Sequence, residues 1–598
     1  MILQSLVRLY ERRVAAANAD DGAPAPVGFE YKAIPFVIVL NADGALISLN
    51  DTRRSDGKKR VAASELVPAG VKKTSGVAAN LLWDTAEYVL GLETQLKNKL
   101  AKPERIHEQH AAFLARLNEL PEGLRADPGV SAVLKFLLAP DTLDRVRALP
   151  EWEELRTTNP LMSFRLQNDQ ESLVCQRLVV RQWWQAQNSA DEADGLCLVT
   201  GKPAVIERLH PAIKGVWGAQ SSGANLVSFN LDAFESYGKQ QGANAPIGRD
   251  AAAKYTTALN DLLRSAHNRI QVGDASTVYW ADEDRHPIET AFAALFGAYK
   301  KDDPTRDADY VKNVYESIRT GQLLKNAPDT RFFVLGLAPN AARLSVRFWH
   351  MAMVSELSAR FAEHIDDMDI VRPPFELAEA SLFRLLTACV PQRKADNIPP
   401  NLGGDVLRAV LEGRNYPAML FAAALRRCCA ERTVDYPRAA ILKAHLNRSK
   451  RIQKLGRPEL QVSLDPDNDT PAYLLGQLFM ILEQIQREAM GDINRTIRDT
   501  YWSAAMAEPQ RTFPHLIDLS GKHLKKMSRD KPGRVENLRK LVGDRVARLY
   551  RKPPTPDSAT PPPFPKALAS DEQGLFIVGY YHQRQSESTY KSSVSKQP

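Results

Sequence analysis

Cysteine is scarce in this chain. The five present, Cys175, Cys197, Cys389, Cys428 and Cys429, form no CxxC pair, and the adjacent Cys428 and Cys429 are poorly placed to bridge one another. That argues against a disulfide scaffold and a zinc ribbon and fits a reducing, cytoplasmic setting. Long apolar runs are missing too. No stretch approaches the roughly 18 apolar residues of a membrane-spanning helix, so no span is expected. The opening MILQSLVRLYERR has a short apolar run interrupted by Arg8, which reads as an amphipathic helix and not as a signal peptide.

Catalytic signatures are equally thin. GxxxxGK[ST] is absent; the nearest approach, Gly195 to Gly201-Lys202, has the wrong spacing and places Pro203 where the Mg²⁺-binding hydroxyl belongs. The chain therefore lacks the phosphate cradle of a helicase motor. HExxH and GxSxG are also absent. His107 and His110 stand three apart with no third ligand in view, so the bland reading, a surface helix face, is preferred. His210, before Pro211, is read as a packed histidine and not a catalytic base. A metal nuclease would need converging carboxylates; Glu207, Asp274, Asp282, Glu283 and Asp284 are its candidates, and it is kept as a rival reading beside a purely structural scaffold. The expectation is a protein that is not an enzyme and carries no cofactor or metal.

What the chain does have is core-forming material and positive charge. Its 598 residues are 44% hydrophobic, enough for several domains, and the formal net charge is +8. The pattern predicts an α+β fold. Ile2, Leu3, Leu6, Leu9 and Tyr10 sit at helical spacing. IPFVIVL (34–40) and ALISL (45–49) flank a turn with Asp43-Gly44 and read as a hairpin. Residues 103–190 read as helices broken at Pro121, Pro140, Pro150 and Pro160. LCLVT (196–200) and AVIERL (204–209) suggest a second hairpin; QVGDASTVYWA (271–281), RFFVLGLAP (331–339) and RLSVRFWH (343–350) read as strands. The expected organisation is a mixed domain over 1–390, a linker at 391–403, a helical bundle at 404–551, a proline-rich connector at 552–565, a helix at 566–585 and a disordered tail at 586–598.

Three stretches are basic: RRSDGKKR (Arg53, Arg54, Lys58, Lys59, Arg60), KAHLNRSKRIQKLGR (with Lys450, Arg451 and Lys454), and 521–552 (with Lys522, Lys525 and Lys526). Such clusters can neutralise phosphates and release counterions. Two loops suit closer contact. Lys72, Lys73, Thr74, Ser75 and Asn80 surround Gly70 and Gly76; Gln220, Ser221, Ser222 and Asn225 surround Gly218 and Gly223. Glycine allows close backbone approach, lysines grip phosphate, and amides or hydroxyls reach base edges.

At these loops the sequence resembles the large subunit of the type I-C CRISPR Cascade, a Csd-type family. The resemblance rests on MILQSLVRLYERR, FVIVLNADGALISLND, VKKTSGVAANLLWDTAEYVLG, the long block 196–247, AYLLGQLFMILEQIQREAMGDINRTIRDTYWSAA and EQGLFIVGYYHQRQ, in the family's order. Ala79 stands where the family commonly has proline. The resemblance implies a non-catalytic subunit of a crRNA-guided complex that also holds backbone, crRNA-processing and small subunits. It implies recognition of the protospacer-adjacent motif (PAM) on double-stranded DNA, strand separation and R-loop formation, with cleavage left to a recruited helicase-nuclease. It implies further that the helical C-terminal region is also made separately as the small subunit; Met480 and Met490 are the candidate internal starts visible in protein sequence.

Overall fold

The computed structural model describes residues 1–16, 24–56, 59–71, 73, 76–96, 99–100, 102–169, 172–189, 192–283, 286–297, 308–321, 329–376, 381–491, 493–550 and 564–594. Hairpins and sheets occupy the N-terminal region and helices the C-terminal region, as the α+β pattern predicted. The chain forms two compact units: Met1–Ala212 with Val227–Asp261, and Ile213–Leu226 with Leu262–Pro598.

In the first unit the organising element is Phe36–Leu40, buried along its whole length. A strand with two covered faces needs apolar residues at every position, and FVIVL supplies them. It pairs antiparallel with Leu46–Asp51, the predicted hairpin, and parallel with Leu161–Leu166, which in turn pairs with Trp83–Thr85. The strand Leu161–Leu166 falls inside the stretch read as wholly helical. Six residues after a proline are too few for period alone to separate strand from helix, and pairing with Phe36–Leu40 decided it. Around it the helices do break at prolines: Pro103–Asn118, Pro128–Leu138 and Trp152–Thr158 cover the sheet, with Phe113 and Phe136 against Phe164. The basic run forms a small hairpin, Arg54–Asp56 with Lys59–Val61. The hairpin near 196–209 is shorter than expected, a two-residue ladder of Gly195–Leu196 with Pro203–Ala204.

The second unit opens with a four-stranded antiparallel sheet, Arg269–Val272, Ala275–Ala281, Arg331–Asn340 and Arg343–Met353, in that order. The stretch read as one strand over 271–281 is two, because the chain reverses at Gly273. Helices Pro287–Phe296 and Val354–Met368 cover one face, and one hydrophobic core then continues from Val272 to Tyr581. Residues 391–403, expected to be a linker between domains, are therefore a connection within one core; Pro391–Arg393 and Ala395–Asn397 are short 3-10 turns. The last helix, Ser570–Val594, carries on into the tail expected to be disordered from 586. Among the described residues no helix is long and apolar enough to cross a membrane.

The centre of the helical region is Pro471–Met490, buried nearly all round and packed against Ser570–Val594. The two helices cross at backbone contact. A Cβ on Gly476 would lie 1.9 Å from the Phe576 carbonyl oxygen, and one on Gly579 would lie 2.2 Å from that of Tyr473. Two buried histidines lie in this core. His582 Nδ1 meets the Tyr473 hydroxyl at 2.8 Å and His364 Nδ1 meets that of Tyr416 at 2.8 Å. Burial lowers both rings to about 3; the nearby charge of Lys443 adds to this for His582 and that of Arg448 for His364.

Replacing Gly476 or Gly579 with alanine is expected to cost about 1–3 kcal/mol through overpacking, whereas Gly543→Ala, on an open helix face, should gain up to about 1 kcal/mol. Chemical denaturation of the three variants checks this. The histidines give a pH dependence of known sign. The unfolded rings take up protons near 6.5 and the folded ones do not until about 3. Stability is thus complete above 6.5 and declines as pH falls below it, by up to about 1.4 kcal/mol per unit for each ring. Urea midpoints at pH 7.0 and 5.5 should differ accordingly, and His582→Gln should flatten the slope.

Candidate nucleic-acid interface

The first loop runs from the ladder Phe29–Ala33/Ser64–Pro68 to the strand Trp83–Thr85. Asp84 is its hub, although only 1% exposed. Its carboxylate accepts from the backbone N–H groups of Asn80 (2.9 Å) and Thr85 (2.8 Å) and from Lys73 Nζ (2.6 and 2.7 Å). Lys73 also lies 3.6 Å above the Tyr88 ring. Asn80 Oδ1 accepts from the Val71 N–H at 3.0 Å, Glu30 accepts from the Gly70 N–H at 2.9 Å, and the Trp83 indole donates to Pro68 at 2.9 Å. Asn80, expected to face a base, is thus buried with its oxygen engaged, and Lys73 already has a carboxylate partner. Both shape the loop. Lys72, Thr74 and Ser75 lie outside the described residues, as does Lys58.

In the neighbouring hairpin Arg53 is drawn inward. It pairs with Asp51 at 2.8 Å and with Glu154, and packs on the Phe36 ring. That hydrogen bonding holds the Asp51 carboxyl down at about 2. Arg54 and Arg60 are exposed, Arg60 reaching Asp51 at 2.8 Å, and Lys59 takes its place in the ladder.

The second loop, Ile213–Leu226, belongs to the second unit. Ile213 and Ala224 bridge antiparallel and close it; Asn225 then docks on the sheet, its N–H donating to Ala342 (3.2 Å) and its carbonyl accepting from Leu344 (2.9 Å). Gly215, Gly218 and Gly223 adopt φ of 87°, 76° and 93°, a region that side chains resist. Val216 is the buried anchor, and the Trp217 N–H donates to Ser276 Oγ at 2.9 Å. The tip presents Lys214, Gln220, Ser221 and Ser222 to solvent, with Asn225 half-buried at the base. Trp217 stands among them, 66% exposed. Sequence reasoning passed over it. The available signal was its neighbour Gly218, which places a large ring on a turn instead of in a core.

The two C-terminal basic stretches differ. In the helix Tyr436–Gln453 the charges face inward: Arg448 and Arg451 meet the buried Asp367 at 2.7 and 2.5 Å, Lys443 donates to the Asp367 carbonyl at 3.1 Å, and Lys450 reaches Glu459 at 3.8 Å. Lys454, at the helix end, stays exposed. In the helices Pro509–Met527 and Pro532–Tyr550, Arg534, Arg545 and Arg548 are bound to Glu488, Asp544 and Asp469, while the outer face keeps its charge. Lys525, Arg529, Lys531 and Arg539 are exposed with no ion pair among the described residues. Lys526 reaches Met490 Sδ at 3.6 Å, and Lys522 pairs with Asp518 at 3.1 Å.

The candidate nuclease carboxylates are each tied to a separate partner: Asp274 to Arg347 at 2.6 Å, Asp282 to Arg331 at 2.7 Å, Glu283 to Thr330 at 2.6 Å, Glu207 to Arg249 at 3.7 Å. Asp284 lies outside the described residues. Among the described residues no three His, Cys, Asp or Glu side chains converge as a metal site would require. His210 is buried, 2.6 Å from the Tyr255 hydroxyl, and burial lowers it to about 4. His110 is likewise packed, against the Tyr88 carbonyl.

The family model described as CRISPR-associated protein (Cas_Csd1) matches residues 6–587. The chain belongs to the Csd1 family of CRISPR-associated proteins. No curated protein sequence matches it. The Csd1 match runs through both loops and both basic helices, so the resemblance to a Csd-type Cascade large subunit holds over nearly the whole chain. The family match thereby makes this a CRISPR-associated, Cascade-type protein.

Because Asp84 holds three donors inside the first loop, Asp84→Ala should leave two backbone N–H groups and Lys73 unmatched. A loss of about 2–4 kcal/mol in stability is expected, read by chemical denaturation, with faster hydrogen exchange at Val71 and Asn80 than in the wild type.

Proposed function

We propose that this Csd1-family chain is the large subunit of a crRNA-guided type I-C Cascade, and that it tests the PAM on duplex DNA before guide RNA pairs with the target. The observation that carries the reading is the loop Ile213–Leu226. Three glycines hold a tight tip that exposes a cation, short uncharged donors and one tryptophan ring. Short donors suit the minor groove and backbone, where a few base pairs are checked at close range. A ring beside them can stack on a base as the strands separate. The first loop supports this from a frame built on Asp84 that holds Lys73, and the sequence sets Lys72, Thr74 and Ser75 beside it.

The outer face of Pro509–Met527 and Pro532–Tyr550 supplies a sequence-neutral grip for single-stranded DNA during R-loop formation. Cleavage then falls to a recruited helicase-nuclease, and the chain itself performs no chemistry. The C-terminal helices would also serve as a separately made small subunit. Met480 lies within Pro471–Met490 and Met490 at its end, so a product begun at either lacks Tyr473, Leu474, Leu475, Leu478 and Phe479, all buried. A start ahead of Pro471 keeps the helix whole.

The test uses the assembled complex with its crRNA on duplex targets bearing matched or altered PAMs. Trp217→Ala and Gln220→Ala should weaken binding to the matched target about tenfold and narrow the gap between the two PAMs. Changing Lys525, Arg529 and Arg539 to alanine should weaken both targets alike and lower the salt slope by about one per lost phosphate contact. A complex whose PAM preference survives the loop variants would reduce the chain to a scaffold.

A further inference from the structure

The strand Arg343–Met353 ends its sheet. Just past it the Val354 N–H donates to the Thr330 carbonyl at 2.8 Å. In an antiparallel ladder alternate residues turn both backbone groups to the partner strand. Ala352, His350 and Phe348, opposite Phe332, Val334 and Gly336, therefore bond inward. Trp349 and Met351 aim their N–H and C=O away from the sheet, and Met353 aims its N–H the same way. Earlier in the strand the edge is already occupied. The Leu344 N–H donates to the Asn225 carbonyl at 2.9 Å, and the Arg347 carbonyl accepts from Arg408 at 3.2 Å. Among the described residues no strand or bridge pairs with the outer side of 349–353.

The side chains at this edge are only partly covered. Register sets Trp349 beside Leu335 and Met351 beside Phe333, on the sheet face that also carries Trp280. Trp280, Phe333 and Leu335 are buried, whereas Met351 is 44% and Met353 38% exposed. Burial of this face thus stops one strand short of the edge. Proline or charge usually blunts an open edge, yet residues 349–353 hold neither proline nor Lys, Arg, Asp or Glu.

The helix Leu402–Glu412 lies beside the strand, and an open groove of about 350 Å³ between them is lined by 347–350 and by Arg408, Leu411, Glu412 and Arg414. Arg347 is held by Asp274 and Arg414 by Glu412, each at 2.6 Å. Arg408 has no carboxylate partner among the described residues. The edge therefore asks for three things: backbone donors and acceptors at strand spacing, apolar side chains at alternate positions, and one carboxylate. A nucleic-acid strand meets the cation but not the row of amides. A second copy of the same edge brings no carboxylate, because 343–353 contains no Asp or Glu. A foreign peptide strand can supply all three.

We propose that this edge receives an extended segment of another protein subunit of the complex. The segment adds a strand beside 349–353, sets apolar side chains next to Met351 and Met353, and places one carboxylate on Arg408. The inference rests on the reading of the chain as a Cascade subunit and uses neither the two loops nor the basic helices.

The probe is the crRNA-bound assembly of the other subunits, purified without this chain. Hydrogen exchange of the full-length protein, resolved to single residues by mass spectrometry, should be fast at Trp349, Met351 and Met353 and slow at His350 and Ala352. Adding the assembly should slow the first three. Photo-methionine at 351 and 353 should cross-link to one segment of one subunit, and that segment should carry an acidic residue. Met351→Pro removes only an outward N–H, at a position where edge strands tolerate proline. Arg408→Glu reverses the charge and should leave the melting temperature of the free chain unchanged. Each variant should weaken association with the assembly about tenfold. Slow exchange at the three amides in the free chain overturns the proposal, as do dimers of the free chain cross-linked through Met351. Variants that bind the assembly like wild type overturn it alone. A wild-type chain that does not bind the assembly at all overturns the Cascade reading, and the proposal with it.

Discussion

A carboxylate taken out of water must be met by donors or a cation, and that requirement organises both units. Asp84 fixes the first loop, Asp367 gathers Arg448 and Arg451, and Glu483, 1% exposed, is met by Arg487 and by the Tyr580 hydroxyl. Each takes positive charge out of circulation. The basic residues left for an external polyanion are those that no buried carboxylate claims.

This sorting gives the charge pattern its meaning. Summed along the chain, the three basic stretches look alike. Folded, the middle one is mostly internal wiring, the first is split between Arg53 inside and Arg54 and Arg60 outside, and the last keeps an open face at Lys525, Arg529, Lys531 and Arg539. The glycine-bordered loop at 213–226 adds what charge cannot, namely short donors and a ring at a fixed tip. In the proposed function, specific probing and unspecific grip fall to different elements, as a protein that leaves sequence reading to base pairing would need.

That both segments are loops was legible, because clustered glycine and serine mark turns. Trp217 was not, since tryptophan in a sequence is read as core until its exposure is seen. Asn80 was misleading in the opposite way: an amide in a polar loop suggests a reader, yet the Val71 N–H had taken its oxygen. The strand Leu161–Leu166 escaped because six residues carry no decisive period. The continuity of the second core escaped because prolines at 391, 399 and 400 look like a linker whether or not helices pack across them.

By itself the sequence determined the family, the order of mixed and helical regions, the hairpin 36–51 and the surplus of positive charge, because these follow from local pattern and block order. Tertiary structure alone decided which charges remain outside and where Gly476 and Gly579 let two helices touch. Pairing and close approach join residues tens to hundreds of positions apart, and no local pattern encodes such a meeting.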